Sequence, residues 1–179
     1  MTRQLQATHM NMQAFAEAGV PHIEATPLQN MERLALESIG LEPDSMVNWQ
    51  AVAELRTGST GQMDIWLHLL AHTSVPLTCQ RCMGAVQTAL QVDRWYRFVA
   101  SEDIAMAEDD ASDEDLLVLT PQFDLMEVLE DELLMALPLV PMHDKCPVMP
   151  EFSAGVIELQ HDVADKPNPF AALAQLKKK

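Results

Sequence analysis

At 179 residues the chain falls within the ~100–200 residues of a single globular domain, and a hydrophobic content of 48% is enough to build a core. Eleven Lys and Arg against 27 Asp and Glu give a formal net charge of −16. That charge repels phosphate backbones at long range, excludes a whole-surface nucleic-acid clamp, and favours basic partners. No apolar stretch reaches the ~20 residues of a membrane span, and the first twenty residues lack a basic segment followed by an apolar one. The expectation is a single-domain cytoplasmic chain, residues 1–179, with no membrane contact.

In chain order, residues 1–25 are expected to be mobile apart from a short helix around Met10 to Ala18 that ends near Gly19. Thr26-Pro27, a capping residue followed by Pro at the first helical position, predicts a helix over 27–39, with Leu28, Met31 and Leu34 on one stripe and a stop at Gly40. From Met46 the period changes to two. Val47, Trp49, Ala51, Ala53 and Leu55 alternate with polar or small residues, as do Met63, Ile65, Leu67 and Leu69, so strands at 46–56 and 62–71 should pair as an antiparallel hairpin across the Gly58–Gly61 turn. Further strands are expected at 75–79, 84–99 and 116–119, with Cys79-Gln80-Arg81-Cys82 at a bend between two of them.

Between Phe98 and Asp144 there are fourteen acids and no Lys or Arg. The first part of that window, 101–115, has few large apolar residues and is expected to be a solvated, mobile loop. Asp124 followed by Glu127 is a capping box in its Asp variant, and Leu125, Val128, Leu129, Leu133 and Ala136 then share one stripe. A helix over 125–136, ended by Pro138, follows from that pattern. Residues 166–179 read as a turn and a short basic helix with three lysines at its negative dipole end. The elements together predict an α+β fold, an antiparallel sheet able to curl toward a barrel, with flanking helices.

Three segments carry a family resemblance: Pro76-Leu77-Thr78-Cys79-Gln80-Arg81-Cys82, the run from Glu130 through Ala136-Leu137-Pro138-Leu139-Val140-Pro141 to His143, and Lys166-Pro167-Asn168-Pro169-Phe170 continuing to Lys177. In order and content they resemble the YceD-type family of large ribosomal RNA subunit accumulation proteins. The resemblance implies a bacterial cytoplasmic ribosome-biogenesis factor needed for synthesis, processing or stability of 23S ribosomal RNA, with no catalytic activity established.

The residues themselves offer two candidate sites. A CxxC pair is half of a tetrahedral metal site, because two thiolates across a tight turn can face one ion. His143 and Cys146 are the candidate second half, and the four residues Cys79, Cys82, His143 and Cys146 would hold a structural zinc; the bland alternative is unconnected thiols and a solvated histidine. Arg81, Arg94, Trp95 and Arg97 form the one internal cluster of basic and aromatic residues, the composition used to bind looped or single-stranded RNA, although ordinary strand residues would look the same. Gly-rich phosphate loops, G-x-S-x-G and H-E-x-x-H are absent, so an enzyme, or any protein with a small-molecule substrate, is the class least supported. The partner expected is either a large-subunit rRNA precursor, met through the arginines, or a basic ribosomal protein, met through the acidic segment.

Overall fold

A computed structural model describes residues 7–58 and 61–148. The chain divides into two units, Met1–Met149 and Pro150–Lys179. The expected turn and basic helix at 166–179 lie outside the described residues, as do residues 1–6 of the expected mobile start.

Chain order is α1 (Met12–Ala18), β1 (His22–Pro27), a 3-10 turn (Leu28–Asn30), α2 (Glu32–Glu37), β2 (Met46–Thr57), β3 (Met63–Thr78), β4 (Ala85–Val99), α3 (Glu102–Glu108), a 3-10 turn (Asp109–Ala111), β5 (Asp115–Val118) and α4 (Leu125–Met135). The strands form one sheet in the order β1-β2-β3-β4-β5. The first three pairings are antiparallel, and β4–β5 is parallel. A parallel pair needs a crossover of a dozen or so residues, which α3 and its following turn supply. The fold is therefore α+β, but the sheet is open and not a barrel. One of its faces is closed by helices, with Leu125, Leu129 and Leu133 of α4 and Phe15 of α1 buried among Leu67, Leu69, Val92 and Phe98, so the edge strands have no need to meet.

The β2–β3 hairpin has the expected antiparallel pairing, Thr57 opposite Met63 through Asn48 opposite His72. The expected strands at 62–71 and 75–79 are one continuous β3. Thr73, buried in the middle, donates its hydroxyl to the Met46 carbonyl at 3.0 Å, and a satisfied polar group does not interrupt a strand. Past His72, β3 pairs with β4 alone, so Pro76 sits where one edge is free of a ladder, and its carbonyl accepts from the Ile39 N–H at 2.8 Å.

The helix expected over 27–39 is shorter. Thr26 and Pro27 close β1, and the Thr26 hydroxyl accepts from Trp49 Nε1 at 3.0 Å instead of capping a helix. The N–H groups of Arg33 and Leu34 in α2 bond instead to Glu130 Oε1 of α4, at 2.8 and 3.1 Å. The short helix expected around Met10 to Ala18 is present as α1, which buries Met12, Phe15 and Ala16, with Asn11 capping it through the Ala14 N–H and a left-handed Gly19 (φ 59°) ending it; the strand β1 that follows it was not expected.

The acidic stretch is also built differently from the expected irregular loop. Ser101 accepts from the Ile104 N–H, and Glu102 and Asp103 in the first turn complement the positive end of the helix dipole. Like charges that repel in a coil are there placed where a helix favours them. Among the described residues, no helix is long and apolar enough to cross a membrane.

Candidate metal centre and sheet face

The two metal half-sites predicted from sequence come together. Cys79 to Gly84 is the turn between β3 and β4, closed by Cys79 N–H to the Gly84 carbonyl at 2.8 Å and Met83 N–H to the Cys79 carbonyl at 2.9 Å. Met83 takes the left-handed conformation this tightness demands (φ 61°). Pro138 ends the run of α4, and the chain then returns across the sheet end, where Pro141 accepts from the Gln80 N–H at 2.9 Å. That contact sets His143 and Cys146 against the turn.

The ligand atoms of Cys79, Cys82, His143 and Cys146 all lie within 4.8 Å of one another. Cys79 Sγ is 3.9 Å from Cys146 Sγ, and Cys82 Sγ is 3.5 Å from His143 Nδ1. A tetrahedral ion with bonds of ~2.3 Å to sulfur separates its ligands by ~3.8 Å, so three sulfurs and one imidazole nitrogen at this spacing fit such an ion. The outer shell agrees. His143 Nε2 lies 2.9 Å from the Ala85 carbonyl, which can only accept; Nε2 therefore carries the proton and Nδ1 keeps its lone pair for the ion. The His143 backbone N–H also faces Cys79 Sγ at 3.5 Å.

The thiols are electrostatically unequal. Burial pushes Cys79 up, but the backbone N–H groups of Cys82, His143 and Arg81, with the His143 ring, more than offset it and bring the thiol down to about 5. Cys146 goes the other way: burial, then the neighbouring sulfurs of Cys82 and Cys79, push it up to about 11.

The arginine and tryptophan cluster is not brought together. Arg97 is drawn onto the acidic segment, its guanidinium 2.8 Å from both Glu108 and Glu114 and 3.1 Å from Ser112 Oγ, with its side chain only 16% exposed. Arg94 lies on the opposite face of β4, with Glu132 of α4 at 3.4 Å. Beside it, the buried Tyr96 hydroxyl has no hydrogen-bond partner among the described residues, and burial together with Glu132 raises its pKa well above the ordinary tyrosine range. Arg81 is exposed on the metal turn, its guanidinium 3.8 Å from Met142 Sδ. Trp95 is on the face away from α1 and α4, stacked on His68 at 4.2 Å and 5°. There it has company that the sequence reading missed. Trp66 lies 6.5 Å away, and Arg56 lies over both indoles. Strand alternation places Trp66 and His68 of β3 on the same face as Trp95, the one signal by which the group could have been found.

The family model described as "Large ribosomal RNA subunit accumulation protein YceD" matches residues 67–177, a stretch that contains all four metal-site residues. A curated relative from Haemophilus influenzae with the same description is 39% identical over 114 residues, which cover 59% of this chain and 61% of that protein. The chain thus spans less than two thirds of that relative's length. No solved structure matches.

Proposed function

We propose that this chain, which belongs to the YceD family of large ribosomal RNA subunit accumulation proteins, supports the accumulation of 23S ribosomal RNA as a binding factor without catalysis, by holding a basic protein of large-subunit assembly. The family name supports the rRNA part of this reading. The choice of a protein partner rests on one observation: every arginine of the sheet is already neutralised by the chain's own carboxylates, Arg56 by Glu54, Arg94 by Glu132 and Arg97 by Glu108 and Glu114. Such a surface attracts cations and gives a phosphate backbone little to bind. In this reading Cys79, Cys82, His143 and Cys146 hold a structural zinc that fixes the loop after α4 to the β3–β4 turn.

A second reading, direct contact with a large-subunit rRNA precursor, is favoured by the metal loops. Arg81 and Lys145, one between each pair of ligands, have no ion-pair partner among the described residues. Co-purification with and without RNase decides between the two. A complex with a basic large-subunit protein that survives RNase is expected; a complex lost on RNase treatment, and weakened by Arg81→Ala, would carry the second reading instead.

A further inference from the structure

We infer that the cleft between the two exposed-face tryptophans and the acidic segment is a receptor for an arginine side chain of a basic polypeptide, a proposal that rests on the reading of this chain as a partner of basic proteins. On the face of the sheet away from α1 and α4, β3–β4 register sets Trp66 opposite Arg97 and His68 opposite Trp95. The two indoles are therefore diagonal neighbours, with ring centroids 6.5 Å apart and planes at 66°. The guanidinium carbon of Arg56 lies 4.5 Å from the Trp66 centroid and 4.1 Å from that of Trp95, both inside the ~6 Å of a cation–π contact. The ring pair thus already holds a guanidinium, one that belongs to the chain itself and is tethered by Glu54. His68, 2.7 Å from Asp93, stacks on Trp95 and fixes that ring, so an arginine from a partner would take the place of Arg56 over the indoles.

Beside Arg56 the surface opens into a cleft of about 380 Å³ that runs from Trp66 and Trp95 to Asp93, Asp113 and Asp115. Its remaining charged residues, Arg94 and Glu114, are engaged with Glu132 and Arg97. Asp113 and Asp115 are exposed and have no ion-pair partner among the described residues. An indole pair that already takes a guanidinium, bordered by unpaired carboxylates, selects a cation that is planar and weakly hydrated. Arginine meets both conditions; the compact, strongly hydrated ammonium of lysine meets neither. A nucleotide would find the rings but would bring its phosphate against the aspartates.

The test titrates the full chain with a peptide of four Arg-Gly-Ser repeats, its lysine counterpart and oligouridylate, following the indole N–H signals by NMR. The arginine peptide should move the signals of Trp66 and Trp95 and spare Trp49, which is buried on the other face. The lysine peptide should bind several-fold more weakly. Trp95→Ala should weaken arginine-peptide binding by about 5- to 30-fold, the range for a partly desolvated cation–π contact. The double variant Asp113→Asn, Asp115→Asn, at exposed positions that leave the fold intact, should weaken binding and flatten its salt dependence. Equal affinity for the two peptides, unchanged affinity in the double variant, or oligouridylate moving the same two indoles would overturn the proposal. If the arginine peptide ignores the cleft while an RNase-resistant complex persists, the site is wrong and the proposed function stands. An RNase-sensitive complex removes the function reading itself.

Discussion

If the four-residue site holds the proposed zinc, chelation of the purified protein should lower Tm by about 10–15 °C. Cys79 and Cys146 are 67 residues apart in sequence and 3.9 Å apart at sulfur, so an ion that holds both closes a loop of that length. In the chain-entropy account of a cross-link, a 67-residue loop is worth about 4 kcal/mol. For a unit of 149 residues, each kcal/mol moves Tm by about 3 °C. Metal sites are reversible cross-links, so binding energy appears directly as folding energy. The assay is a pair of thermal melts by circular dichroism, zinc-replete and chelated, with elemental analysis on the same preparation. Cys79→Ser and Cys146→Ser should each reproduce the chelated melt, since loss of either ligand opens the tetrahedron. A protein that carries one zinc per chain yet shifts by less than about 3 °C on chelation would refute the tether argument, and one that retains no zinc would refute the site.

Zinc affinity should rise with pH through the neutral range, because Cys146, pushed up to about 11, must lose its proton to bind, whereas Cys79, down at about 5, has already lost its own. The Cys146 proton alone gives about tenfold per pH unit; in a chelator competition from pH 6.5 to 8.5, a flat affinity contradicts this. Arg97→Met should cost about 2 kcal/mol, between the values for exposed and buried ion pairs, because it leaves Glu114, only 19% exposed, without its cation. The loss should be accompanied by faster amide exchange across 101–111, and a urea midpoint unchanged from wild type would show that the acidic segment is held by something else.

What the sequence made legible followed from local rules with a physical basis. The 125–136 stripe was readable because Asp124 caps its own helix, accepting from Met126 and Glu127 N–H at 2.9 and 3.1 Å, and because α4 turns Leu125, Leu129 and Leu133 to one core. The β2–β3 hairpin was readable because its inward residues alternate without a break. By contrast, β1 is an edge strand with no buried residue, so it carries no hydrophobic period to read. The acidic helix was hidden by its charge: composition argued for a coil, while the Ser101 cap and the Arg97 bridge to Glu108 and Glu114 hold it in place. The capping serine was visible in the sequence. The bridge was not, since it depends on how β5 folds back beside β4.

The two candidate sites differ in legibility for a reason that lies in strand geometry. Each candidate metal half-site is local, its two residues three positions apart across a turn or along a loop, and only the meeting of the halves needed the structure. The arginine cluster needed only the period of a strand. Side chains alternate faces along β4, so Arg94 and Arg97, three positions apart, leave the strand on opposite sides. By that rule the cluster separates into Arg94, which meets α4 at Glu132, and Trp95 with Arg97 on the side away from α4. The same alternation along β3 then brings Trp66 and His68 to Trp95. What looked like a basic stripe for RNA becomes an aromatic pair with a single guanidinium over it and carboxylates at its edge, the surface on which the proposed cationic partner rests.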